Sequence, residues 1–254
     1  VKNVGVVLLI GAALALASPA MADQIQVGFS GSGYGPYQTG VGGEFTVNDI
    51  GGNPPNSWLD LSGYFASVTS NLGGITSFQT FCIEKDEYLY PYGASYEVVL
   101  SGGAVHGGVG GPDPDPLSRG TALLYSQFAK GALTGYNYAA GRNLSAAALQ
   151  EAIWWLEEEI TSYTAGNSFI GLVATTFGSD LDARLDAGAG QYGVYALNLI
   201  GAAGAPIGVV GQDQLYYRDP GITTTAVPDG GTTIALLGMA LCGMAIVSRR
   251  FQRA

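Results

Sequence analysis

The chain has 254 residues, a formal net charge of −10 and 12% charged residues, against forty glycines. An acidic chain of this kind neither displaces the counterions of a phosphate backbone nor adheres to anionic headgroups, which excludes nucleic acid and a charged lipid surface as partners. The glycines keep no fixed period and read as turns, so the composition suits an exported β-rich protein with a polar, weakly charged surface.

At the front, Lys2 gives a positive start, residues 4–17 an apolar stretch, and Ala20-Met21-Ala22 a small-x-small cleavage site before Asp23. Together they predict a signal peptide over 1–22. Val1 in first place suggests an alternative start codon. Residues 23–226 then form an exported domain long enough to bury a core. All twenty acidic residues lie between Asp23 and Asp229, with six basic residues among them.

Within that domain, polar and apolar residues alternate over 24–29, as in a half-buried strand, and 44–47 reads as a second. Loops rich in Gly, Pro, Asn and Ser follow, notably 51–56. Residues 76–83 and 95–100 are further strands, the latter with Tyr96, Val98 and Leu100 on one face. The glycine- and proline-rich run 101–116 predicts no regular structure. The period then changes to helical over 118–133. Residues 144–160 carry the clearest helical stripe, Leu149, Ile153, Leu156 and Ile160, with Asn143 or Ser145 placed to cap its start. Glu157, Glu158 and Glu159 read as its solvated end. A third helix is expected over 169–185, and strands over 194–200 and 214–217 that close the sheet. The expected fold class is α+β: a β-rich N-terminal part, central helices and C-terminal strands, plus a C-terminal transmembrane helix.

That last element belongs to the tail, 227–254. Val227-Pro228-Asp229-Gly230 is a turn-prone polar motif. An apolar segment at 232–248 follows, near the short end of the roughly 17–25 residues that cross a bilayer. Arg249, Arg250 and Arg253 close the chain and would stop the segment with its C-terminus in the cytoplasm.

The cysteines are informative. Cys242 lies in the apolar tail, which leaves Cys82 alone in the exported domain, where an unpaired thiol calls for an explanation. Cys82 sits in Phe81-Cys82-Ile83-Glu84 at the end of a strand, and alternation puts Phe81 and Ile83 on the face opposite the thiol. A second motif, Leu149-Gln150-Glu151-Ala152-Ile153-Trp154, lies on the clearest helix, with Trp154 one turn beyond Gln150.

The tail resembles the PEP-CTERM sorting signal in its Val-Pro-Asp-Ser-Gly variant, with Gly230 where that variant has Ser. The resemblance implies recognition by an exosortase at the inner membrane, then release to the cell surface or extracellular matrix. An ordinary C-terminal membrane anchor is the alternative. The two internal motifs, taken in order over 78–159, resemble the bacterial surface thioester domain. That resemblance implies a bond between Cys82 and Gln150, shielded by Trp154, Phe81 and Ile83, that captures an amine-bearing surface protein or polysaccharide in a single turnover. Two other readings stand beside it: a non-covalent structural or adhesion protein of an exopolysaccharide matrix, with Cys82 as plain core, and a secreted cysteine hydrolase using Cys82 with His106. Asp113 and Asp115 read as a charged turn, with calcium as the alternative. No zinc site is expected from one cysteine and one histidine, and no phosphate loop or cofactor fingerprint is present.

Overall fold

The computed structural model describes residues 24–28, 34–39, 42–51, 59–72, 75–89, 94–202 and 210–221. The signal peptide expected over 1–22 and the tail 227–254, with its apolar segment 232–248, lie outside the described residues. Among the described residues no helix is long and apolar enough to cross a membrane. The chain falls into two units, Val1–Asp219 and Pro220–Ala254, and the architecture below belongs to the first.

In chain order the strands of the N-terminal part are β1 (Gln24–Val27), β2 (Gln38–Thr39), β3 (Gly42–Gly43), β4 (Phe45–Asp49), β5 (Thr69–Leu72), β6 (Ile75–Thr80), β7 (Ser95–Ser101), β8 (Gly103–Ala104) and β9 (Asp115–Pro116). Helices α1 (Arg119–Ala129), α2 (Arg142–Leu156), α3 (Ser168–Phe177) and α4 (Asp180–Ala183) follow. Strands β10 (Val194–Ala202) and β11 (Val210–Tyr217) end the described chain. Seven strands pair in the order β11-β10-β7-β1-β4-β6-β5, antiparallel at every step. The sequence of strands, helices and strands is the one expected.

The sheet does not stay open. Beyond Thr80 the chain remains extended but changes partner. Ile83 N donates to Asp213 O at 3.0 Å and Leu215 N donates to Phe81 O at 3.1 Å, so residues 81–83 lie against β11, the opposite edge. The single strand expected over 76–83 is therefore two pairings in succession. Thr80 sits at the switch, its Oγ1 donating to Leu215 O at 2.5 Å and accepting from Leu215 N at 3.0 Å. The curl leaves an inner face, on which Ile25, Val47, Phe78, Tyr96, Leu197, Leu199 and Tyr216 from six strands meet in one cluster. Leu215, Tyr217, Val194 and Ala196 point the other way, into a second core shared with the helices.

Several boundaries differ from the sequence reading, each for a local reason. Helix α2 ends at Leu156, so Ile160 lies past it and packs on the inner cluster instead of extending the stripe. Neither Asn143 nor Ser145 caps α2: the N-cap is Gly141 in the left-handed region at φ 83°, and Ser145 Oγ accepts from Asn137 N. Gly178, at φ 99°, divides the expected third helix into α3 and α4. The run 101–116 carries a short ladder, β8 with β9. Glu157 and Glu159 are not solvated. Glu157 is 4% exposed and accepts from Ser118 Oγ at 2.7 Å and Ser118 N at 3.2 Å, joining the end of α2 to the start of α1. Glu159 is 2% exposed and accepts from Lys85 N at 2.8 Å and Val109 N at 3.0 Å. Burial lifts the Glu157 carboxyl to about 7. Acid residues beyond a helix end look like poor partners for the dipole, yet here they serve backbone donors from other segments.

Candidate functional site at Cys82 and Gln150

The site follows from the strand switch. Cys82 faces Gln214 across an antiparallel bridge, and the hydrogen bonds to β11 are made by its neighbours Phe81 and Ile83. In such a non-hydrogen-bonded pair the Cα atoms come within about 4.5 Å, and each residue's own N–H and C=O point away from the partner strand. The backbone of Cys82 thus presents an unpaired donor and acceptor on its free side, both buried, and these need partners.

Gln150 supplies them. Its Oε1 accepts from Cys82 N at 3.3 Å and its Nε2 donates to Cys82 O at 2.9 Å. The carboxamide behaves as one more strand residue would. The same docking brings the thiol into contact: Cys82 Sγ donates to Gln150 Oε1 at 3.3 Å. Cys82 is fully buried and unpaired, and Gln150 is 1% exposed. Burial pushes the Cys82 thiol well above its ordinary range, the Trp154 indole N–H opposing that rise and the nearby Glu84 carboxyl adding to it. The unreacted thiol is therefore fully protonated near neutral pH.

Helix α2 aims Gln150 by facing two ways. Leu149, Ile153 and Leu156 enter the helix-side core, while Trp154, one turn past Gln150, joins Cys82 in the inner cluster. Trp154 is 8% exposed, and its buried Nε1, near enough to Cys82 to temper the rise of the thiol, makes no well-aligned hydrogen bond. Gln214 Oε1, across the bridge from Cys82, is also buried and unpartnered, its Nε2 being turned to Gln212 O. Phe81 and Ile83 lie in the helix-side core, where Phe81 meets Phe128 edge-on with centroids 5.0 Å apart. They anchor the segment from behind, and the expectation that they shield the thiol is corrected: they face away from it.

A cover that the sequence reading missed comes from β2 and β3. They pair as a small hairpin, Gln38 with Gly43 and Thr39 with Gly42, packed on α2. A Cβ at Gly42 would sit 2.8 Å from Gln150 Cγ and 2.9 Å from Trp154 Cη2, so the backbone itself touches the site and only glycine fits. The signal was present as Gly40-Val41-Gly42-Gly43, but a glycine cluster reads as a turn before it reads as a close approach.

The other sequence candidates lie elsewhere. His106 is half exposed and its Nδ1 is 3.7 Å from Asp113 Oδ1. The two line a recess of about 400 Å³ with Asp86 and Glu87. Asp113 Oδ1 also accepts from Gly107 N at 2.6 Å, so the loop satisfies itself. Burial lifts Asp115 to about 7 with the nearby glutamates adding to the rise, and burial likewise lifts Glu87 to about 7 against the pull of His106. Among the described residues no group of three or more His, Cys, Asp or Glu side chains is placed to hold a metal ion. Val227, Pro228, Asp229, Gly230, Arg249, Arg250 and Arg253 lie outside the described residues.

Comparison with known proteins bears on that tail. A family model described as the VPDSG-CTERM motif matches residues 226–251. No curated protein and no solved structure matches the chain. The segment 226–251 is thus a sorting signal of the PEP-CTERM type, which implies exosortase processing, export and membrane-associated sorting towards the surface.

Proposed function

We propose that the exported domain stores an internal thioester between Cys82 and Gln150 and uses it to attach covalently to an amine-bearing protein or polysaccharide on a surface or in the extracellular matrix. The observation that carries this reading is the 3.3 Å contact of Cys82 Sγ with Gln150 Oε1, inside a carboxamide docked on both backbone groups of Cys82.

The chemistry balances with these two side chains. The Cys82 sulfur adds to the Gln150 side-chain carbon, and negative charge grows on Oε1, which the Cys82 N–H already faces. The bond from that carbon to Nε2 then breaks. The thiol proton joins the departing nitrogen, and ammonia leaves. Sγ lies 3.3 Å from the oxygen bonded to the carbon under attack, which keeps the two reacting groups together, and the elevated thiol makes proton transfer to the leaving nitrogen the demanding part. In the second stage a primary amine adds to the thioester carbonyl, the C–S bond breaks, and the amine proton returns to sulfur. The partner is left joined through an amide to residue 150, with a free Cys82. One such event consumes the site, so the chain acts once and is no turnover enzyme. Burial of the pair protects the acyl group from water until then.

Incubating the full chain with methylamine tests this. The expected product carries a methylamide at residue 150 and a Cys82 that alkylates as a free thiol. An unmodified Gln150 after long incubation, with no change in Cys82, contradicts it. A second reading has its own support: the three contacts also suit an unreacted carboxamide that completes a strand edge, as a structural matrix protein would use it. The hydrolase reading has less, because His106 faces Asp113 and Cys82 faces Gln150.

A further inference from the structure

We infer that the β2–β3 hairpin is the cover that governs access to the Cys82–Gln150 pair, and that the buried ion pair between Glu44 and Arg142 is the latch that holds it shut. The chemical consequence rests on the thioester reading, whereas the cover itself rests on packing.

The hairpin touches the reacting group. Gly42 leaves no room for a Cβ against Gln150 Cγ or Trp154 Cη2, so a small outward movement of this backbone uncovers both. Two residues later Glu44, fully buried, is gripped by both arms of the Arg142 guanidinium. Nε reaches Oε1 at 2.6 Å and Nη2 reaches Oε2 at 2.7 Å. The Tyr136 hydroxyl also donates to Glu44 Oε1, Arg142 Nη1 donates to Ser67 O at 2.8 Å, and the Tyr37 ring stacks on the guanidinium at 4.3 Å. Glu44 N donates to Tyr37 O at 3.1 Å, closing the base of the hairpin.

The arrangement couples two things. Arg142 opens α2, and Gln150 lies on the same helix about 12 Å along its axis at 1.5 Å per residue. The residue that fastens the cover and the residue it covers therefore sit on one rigid element. A planar two-pronged contact fixes orientation as well as distance, which a lysine in place of Arg142 would not do. Two charges are seldom buried where apolar packing would serve, unless their position has a use. Here the pair sits at the base of a segment that packs directly against the acyl donor. Glu44, Arg142 and Gly42 are accordingly positioning residues, acting on the chemistry through Gln150.

The test separates cover from chemistry. In a full-length Gln150→Ala background, where no thioester can form, Cys82 is labelled with iodoacetamide under native conditions. Adding Glu44→Gln or Arg142→Lys should raise the labelling rate by about tenfold or more, the effect of one charge-assisted hydrogen bond lost. Tyr136→Phe removes one hydroxyl contact and should raise it less, keeping the test available if the first two variants do not fold. With Gln150 restored, the same changes should shorten the lifetime of the ammonia-deficient species in water in the same rank order. Unchanged labelling in a folded Arg142→Lys or Tyr136→Phe chain overturns the latch. Faster labelling without any ammonia-deficient species in the restored chain keeps the cover and removes the thioester.

Discussion

Cys82 and His106 are the two side chains of the exported domain from which nucleophile chemistry would first be expected, and the fold houses them in opposite ways. Cys82 is sealed at a strand switch, neutral, with its backbone and its sulfur all engaged by one carboxamide. His106 is half exposed in a recess of carboxylates, its Nδ1 3.7 Å from Asp113 Oδ1. The difference teaches where a stored acyl group can live. An exposed, charged recess is open to water and screened by salt, whereas a dry site with prearranged donors keeps a reactive bond and lets short contacts count.

Substitutions at the latch should widen that contrast most. Glu44→Ala strands the Arg142 charge in the interior and should cost about 3–5 kcal/mol of stability, measured by denaturant unfolding. Gly42→Ala is expected to cost about 1–3 kcal/mol, because Gln150 and Trp154 must both give way. It should also slow formation of the ammonia-deficient species, read by mass after expression.

The acidic side of the comparison is visible through pH. Burial lifts Glu157, Asp115 and Glu87 each to about 7, from ordinary values of 4.5 for the glutamates and 3.8 for the aspartate. The folded chain thus keeps protons that the unfolded chain has already lost between those limits. Stability from these groups is fully present below the lower values and is lost as pH rises through about 7. The melting temperature should accordingly be lower at about pH 8 than at about pH 5, and a rise across that interval would contradict the assignment. Replacing Glu157 by Gln should flatten the slope. Smallest of all, His106→Ala or Asp113→Asn should change stability by no more than about 0.5 kcal/mol, as exposed pairs do. Neither should alter the mass of the purified chain, and loss of activity towards amines in His106→Ala would move the chemistry to the loop.

What the sequence made legible tracks how local each feature is. The PEP-CTERM-type tail is a linear pattern, and its match over 226–251 needs no fold. Alternation found β1, β4, β7, β10 and β11, and the helical stripe found α2, because period and burial agree there. The opposition of Phe81 and Ile83 to Cys82 was also readable, since it follows from strand geometry alone. Long-range events were not. That residues 81–83 leave β4 for β11 depends on a pairing with a segment some 130 residues away, marked only by the hydroxyl of Thr80. The burial of Glu157 and Glu159 depends on Ser118, Lys85 and Val109 arriving with free N–H groups, which no local pattern announces. Gly42 shows the same limit from the other side: the residue type was conspicuous, but the side chains it makes room for are more than 100 positions on.

The intact mass of the purified chain tests the central claim most directly. The account predicts a species lighter than its sequence by one ammonia, with the deficit abolished by Cys82→Ala and by Gln150→Ala but kept in His106→Ala. A wild-type mass equal to that of the sequence, with Cys82 alkylating quantitatively once the chain is unfolded, would show that the sulfur and the carboxamide lie in contact without ever joining.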